Sequence, residues 1–228
     1  MGHTVAARGT CCVHGDTGLG KTVAAGQALR LLPGRVRCGG RWPVWRPVCR
    51  SCGPRCVKRS GCRRVALPHR ARPGRAGPGR AGQALTRALG EPGVLFLDDA
   101  QRLTPPLLDY LRQLWDAPGC AAALVLCGVG GERALARASA LRSRVLSWHQ
   151  VGRLEPSQVP RTLTLFHPVW TQADPDDLAR ADEHRARGHF RTWAKSTSHV
   201  YASRERGSVR RVDRELIEQA CARLGPYP

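Results

Sequence analysis

A parallel α/β sheet with helices on both faces, followed by a small all-helical lid domain, is the fold class this sequence predicts. Three observations carry it. A glycine-rich loop, Gly15–Thr22, stands between a short apolar run and a helical stretch. Two further apolar runs, 94–98 and 121–128, are nearly uninterrupted, as strands buried on both faces are. After Leu154 such runs cease and only helical periodicity remains. The expected division is therefore 1–152 and 153–228.

Each element has a local reason. "TCCVH" at 10–14 is a short apolar run that ends in glycine, which predicts a buried strand. "KTVAAGQALRLL" at 21–32 predicts a helix stopped by Pro33 and Gly34. Residues 35–82 show neither period and are expected to be an irregular, disordered insertion; helical character resumes over 83–89. "VLFLD" at 94–98 predicts a strand. Thr104 is expected to cap the next helix, with Pro105 at its first position. Leu107, Leu108, Leu111, Leu114 and Trp115 give that helix its apolar face, and Pro118-Gly119 ends it. "AAALVLCG" at 121–128 and "RVLSWHQV" at 144–151 predict strands, with a helix over 131–140 between them. Helices are predicted at 157–166, 175–187, 190–204 and 212–224. Acidic residues follow Asp174-Pro175, where they suit the positive end of the helix dipole.

The formal charge of +20 points first to nucleic acid, but it is unevenly spread. Residues 17–90 hold 17 of the 37 Lys and Arg and no acid, which leaves +3 for the rest. The basicity belongs to one segment. The N-terminus has no apolar core of a secretory signal, and no apolar run is long enough to cross a bilayer. The expectation is a cytoplasmic protein with reduced thiols and no membrane partner.

"GDTGLGKT" satisfies G-x-x-x-x-G-K-[ST] at every fixed position, with a strand before it and a helix after it. Gly15, Asp16, Thr17, Gly18, Leu19 and Gly20 supply backbone N–H groups that wrap phosphates. Lys21 adds a cation, and the Thr22 hydroxyl reaches Mg²⁺. The expected cofactors are ATP and Mg²⁺. In "VLFLDDAQRL", Asp98 ends a buried strand and is the carboxylate expected in the Mg²⁺ shell. Asp99, one residue further out, is the candidate base that orients water; its competing role is a capping or solvated acid.

These motifs, with the strand ending "LCGVG", "LRSRV" and the terminal helices, resemble the AAA+ ATPases, and within them the origin-recognition and transposition-helper branch of TniB or Mu B type. The resemblance covers about 10–34 and 83–225. It implies an assembly of copies of this chain, hydrolysis at subunit interfaces, and association with DNA and a transposase. It places an arginine finger in "LRSRV", Arg144 first and Arg142 second. It matches "GHFRTW" to the G-N-x-R lid motif, with His189 in place of Asn and Arg191 facing the terminal phosphate; Arg210 is a weaker candidate for that role. It also asks for a polar sensor residue near Cys127 and Gly128. Asp at 99 is one methylene shorter than the Glu many relatives carry. A non-hydrolysing ATP-binding switch, or a degenerate remnant, is the alternative reading. Relatives cover adenine with a segment ahead of the first strand. Only nine residues precede Thr10 here, which implies loose base recognition or a start further upstream.

The spacing of Cys49, Cys52, Cys56 and Cys62, with Cys38 upstream, offers one close pair where a tetrathiolate zinc site has two. A basic arm for phosphate contacts is a second reading of this stretch. The favoured one is a pair of compensating frameshifts, since Arg, Gly, Pro, Cys and Trp without acids is what GC-rich DNA gives out of frame. "WPVWRPV", Trp42 to Val48, is the one piece expected to pair as a substitute edge strand.

Overall fold

The computed structural model describes residues 1–31, 35–39, 63–65, 86–87, 89–205 and 212–224, with only the backbone described for 35–39 and 63–65. Its contacts group into two units. The first comprises Met1–Asp16 and Lys21–Val151; the second comprises Thr17–Gly20 and Gly152–Pro228.

The first unit is built on a parallel sheet. Its strands are β1 (Thr10–His14), β2 (Arg35–Gly39), β3 (Arg63–Val65), β4 (Gly93–Leu97), β5 (Ala122–Gly128) and β6 (Val145–Gln150), in spatial order β3-β2-β4-β5-β1-β6. The three central strands carry the apolar runs. Side chains alternate across a strand, so β4 sends Leu95 and Leu97 to one face and Val94 and Phe96 to the other. The first face packs with Leu124, Leu126 and Cys12 against Leu107, Leu108 and Leu111 of α3 (Pro105–Asp116). The second packs with Cys11, Val13, Val125 and Cys127 against Ala25 and Leu29 of α2 (Lys21–Arg30). Each fully buried side chain of this size is worth about 1.5–3 kcal/mol, so the central strands fix the sheet. β6 alternates half-buried and exposed residues, as an outer strand covered on one face does.

Four sequence expectations change. The 35–82 interval is not wholly irregular: β2 pairs with β4 from Arg35↔Gly93 to Gly39↔Leu97, and β3 pairs outside β2. Strand addition uses backbone N–H and C=O groups, so an edge strand can form without an apolar pattern. Trp42–Val48 and Cys49–Cys62 lie outside the described residues. Thr104 occupies the N-cap position of α3 but makes no side-chain capping bond; Pro105 supplies the start. The helix over 131–140 is two short ones, α4 (Gly131–Ala136) and α5 (Ser139–Arg142). A helix ahead of β1, α1 (Gly2–Ala6), was not foreseen; its buried Thr4 hydrogen-bonds Ser147 at 2.7 Å.

The second unit packs α6 (Val159–Phe166), α7 (Pro175–Ala181), α8 (Phe190–Glu205) and α9 (Arg214–Ala222) around Trp170 and Trp193. The two rings meet edge to face at 5.6 Å, and the Trp170 indole N–H donates to Thr197 at 2.9 Å. The helical run predicted over 175–187 is α7 continued by a single wide π turn, Asp182–Ala186, that ends in left-handed Arg187.

Candidate phosphate-binding site

β1 lies between β5 and β6 in parallel register, so the loop that follows it leaves the carboxyl end of the sheet and enters α2. Lys21 opens that helix. It is buried, with 7 % of its surface exposed, and its ammonium donates to the Asp16 carbonyl. The bond folds the lysine back along the loop, and the helix terminus beside it adds partial positive charge for an anion.

One residue on, the Thr22 hydroxyl donates to both carboxylate oxygens of Asp98, at 3.2 and 3.1 Å. Asp98 is the first residue beyond β4, which ends at Leu97 rather than continuing to 98. The Asp99 N–H donates to Asp98 Oδ1 at 3.0 Å. Cys127, fully buried near the end of β5, is close enough to Asp98 for its thiol to favour the ionised carboxylate. Loss of water around the carboxylate pushes the Asp98 pKa up, and the Asp99 charge adds to this; the three donors pull against it. Its exposed surface lets solvent temper the push.

The donor set fits Mg²⁺. Both groups are hard oxygen ligands, and neighbouring ligands of an octahedral ion about 2.0–2.1 Å away stand about 3 Å apart, which is the Thr22–Asp98 separation. Among the described residues no group of three or more His, Cys, Asp and Glu side chains is placed to hold a metal unaided. Two ligands completed by phosphate and water is the pattern Mg²⁺ favours.

Asp99 stands in the left-handed region at φ 55°, ahead of the short turn Ala100–Arg102. Its Oδ1 accepts from the Gln101 carboxamide at 3.2 Å. Sequence reasoning missed Gln101; an amide two residues after an exposed acid was the available signal. Near the sensor position the structure offers Cys127, whose thiol burial pushes upward, as it pushes Cys11 to about 11 and Cys12 to about 12. These thiols stay protonated, and Cys127 acts as a hydrogen-bonding group toward Asp98.

The two finger candidates differ. Arg142 is exposed at the end of α5. Arg144 donates to Asp116 of α3 at 2.8 Å and to the Ala140 carbonyl at 2.6 Å. Asp116 also accepts from Arg112, and the hydrogen bond from Arg144 is the main cause that holds its carboxyl below the usual range.

The loop's crest, Thr17–Gly20, groups with the second unit. There the Arg191 N–H donates to the Gly18 carbonyl at 2.8 Å. Gly18 stands at φ +82°, and a Cβ added to it would come within 2.5 Å of the His189 ring and 3.2 Å of Arg191 Cβ. Only glycine admits that approach. His189 and Arg191 are thus brought to the loop's crest. Arg210 lies outside the described residues.

A glycine-lysine-threonine loop at the carboxyl end of a parallel sheet, backed by a strand-end aspartate, defines a P-loop protein of AAA+ fold. The AAA domain family matches residues 5–135, more than half of the chain, and the chain belongs to it. No curated protein matches it at the level of sequence. Among solved structures it is similar to the Thermotoga maritima RuvB Holliday junction branch migration motor, with a TM-score of 0.59 at 14 % identity, over 96 % of this chain and 65 % of that one. The Aeropyrum pernix ORC2 protein, in ADPNP and ADP complexes, gives 0.61 at 14 %, over 95 % and 62 %. The ORC1 protein of the same organism, in complex with DNA, gives 0.58 at 17 %, over 95 % and 59 %. The chain therefore spans about 59–65 % of the length of these structures. At such identity the likeness is one of fold. No described helix is long and apolar enough to cross a membrane.

Proposed function

We propose that the chain binds Mg-ATP and hydrolyses it at an interface between copies of itself, as a DNA-associated helper of transposition. The observation that carries the nucleotide reading is the Thr22–Asp98 pair beside Lys21, hydrogen-bonded at the spacing two Mg²⁺ ligands require. Backbone N–H groups of Gly15–Gly20 and the Lys21 ammonium bind the β- and γ-phosphates. Mg²⁺, when bound, screens the charge that develops on the phosphates; Thr22 and Asp98 are the residues that would hold it. Asp99 orients the attacking water, and Gln101 steers its carboxylate. Arg191 contacts the terminal phosphate. Arg144, or Arg142 beside it, reaches the neighbouring copy's nucleotide; for Arg144 this requires release from Asp116. The DNA and transposase partners rest on the family resemblance, supported by relatives described as a branch migration motor and as a complex with DNA.

A second reading, an ATP-binding switch with little turnover, draws on one observation. The Asp99 carboxylate is short and already engaged by Gln101. Steady-state ATPase rates against protein concentration, with and without DNA, separate the two. Lys21→Ala is expected to abolish ATP binding. Asp99→Asn is expected to retain binding and lose about 10²-fold or more in rate. Arg144→Ala is expected to bind ATP normally and hydrolyse slowly. Equal loss of binding in Lys21→Ala and Asp99→Asn makes Asp99 structural. A specific activity independent of dilution removes the interface from the mechanism, and absence of turnover on DNA favours the switch.

A further inference from the structure

The second unit contains a buried carboxylate that the proposed chemistry does not use. Asp182 is 2 % exposed. Its two oxygens accept from the Gly188 N–H at 3.0 and 2.9 Å, and Oδ1 also accepts from the Trp193 indole N–H at 2.7 Å. A buried ionisable group is costly unless it is well paired, so a structure that only needed to fill this space would use an apolar residue. What the carboxylate adds is direction. It fixes the backbone of one particular turn.

That turn has an unusual build. The π turn Asp182–Ala186 is one residue wider than an α turn, and π turns of this kind recur at functional positions. It ends in Arg187 at φ 49°, whose N–H returns to the Asp182 carbonyl at 2.6 Å. Gly188 follows at φ +73°, where a Cβ would overlap the Leu154 carbonyl. Its own carbonyl accepts from the Leu154 N–H at 3.0 Å. Gly188 is therefore held on three sides: by the Asp182 carboxylate, by Leu154, and by steric closure that only glycine survives. The next residues are His189 and Arg191, which meet the loop at Gly18. Trp193, the second donor to Asp182, lies one turn further along α8 on the same segment.

We propose that Asp182 is a positioning residue for the phosphate loop. It pins both ends of the segment Gly188–Trp193 and so sets where Arg191 grips Gly18 and where the Arg191 side chain stands relative to a terminal phosphate. The proposal rests on the reading of Arg191 as the residue that distinguishes ATP from ADP.

The test uses the full chain and two readouts. ATP and ADP dissociation constants are measured for wild type, Asp182→Asn, Arg191→Ala and the double variant. Hydrogen exchange of the peptide covering 17–20 is followed in the same proteins. Asparagine keeps the shape but turns a donor toward Gly188 or Trp193. The expected result for Asp182→Asn is a folded protein whose preference for ATP over ADP falls about fivefold to tenfold, the scale of one ordinary net hydrogen bond. Exchange at 17–20 should rise. In the Arg191→Ala background, Asp182→Asn should add no further loss of preference. If Asp182→Asn does not fold, Trp193→Phe, which removes one donor only, should show the same two changes on a smaller scale. Unchanged preference together with unchanged loop exchange overturns the proposal, and so does an equal loss in the Arg191→Ala background. An Arg191→Ala protein with wild-type preference removes the Arg191 reading instead. Asp182 then stands or falls on loop exchange alone.

Discussion

Asp98 and Asp182 are the same side chain put to opposite uses. Both are pushed above the ordinary carboxylate pKa, chiefly by loss of water. Asp182 is closed off, and the protein supplies all its donors from Gly188 and Trp193. Asp98 keeps an exposed surface, and one of its partners, the Thr22 hydroxyl, is itself a Mg²⁺ ligand type. A carboxylate whose donors are backbone and indole N–H groups is committed to the fold. A carboxylate left open beside a hydroxyl is available to a cation. Burial and the kind of donor separate the two.

The largest expected difference is in stability. Asp182→Ala leaves two buried N–H groups without an acceptor, so unfolding free energy should drop by about 2–6 kcal/mol at 1–3 kcal/mol per group. Asp98→Ala, at an exposed position, should stay within about 1 kcal/mol of wild type without nucleotide. Denaturant melts of both variants check this; similar losses would erase the contrast.

The next effect lies in ligand linkage. Mg-ATP at a hundred times its dissociation constant should stabilise the wild-type chain by about 2.7 kcal/mol. Asp98→Asn should lose most of the Mg²⁺-dependent part of that gain. A thermal shift series with ATP plus EDTA against ATP plus Mg²⁺ isolates it. A variant that still responds fully to Mg²⁺ would move the cation ligand elsewhere.

Cys127 sharpens the comparison on the open side. Cys127→Ala should weaken the Mg²⁺ response by about 1 kcal/mol through loss of one donor to Asp98, while Cys127→Ser, which keeps a donor, should retain most of it. Equal loss in both would make Cys127 a packing residue only.

The smallest effect is the pH dependence of Asp182. Below pH 3.8 it is protonated in both folded and unfolded chains, so its ionisation contributes nothing. Its folded pKa is raised, so as pH climbs from 3.8 toward that value the unfolded chain releases a proton that the fold keeps. Stability then falls by about 1.4 kcal/mol per pH unit crossed, and levels off above the folded pKa. Urea melts of wild type and Asp182→Asn across this range isolate the contribution. A difference between them that grows with pH would reverse the sign.

Features that depend on neighbours along the chain were legible in the order of amino acids. The apolar runs at 10–14, 94–98 and 121–128 pointed to buried strands, because polar residues stand only at their ends and leave no alternating solvent side. Gly15–Thr22 announced a phosphate loop because its spacing is a local geometric requirement, and Asp98 was placed by its position at a strand end. Tertiary structure decided the rest. β2 formed in a stretch with no apolar pattern because β4 offered an unpaired backbone edge, and backbone hydrogen bonding does not read side chains. Arg144 and Arg142 were ranked on motif position alone; only the fold brought Asp116, 28 residues away, within 2.8 Å of Arg144. Asp182 read as one acid in a helical, charged stretch. Only the widening of a single turn carried it beneath Gly188 and Trp193, and whether a carboxylate is open or enclosed depends on residues that meet it in space.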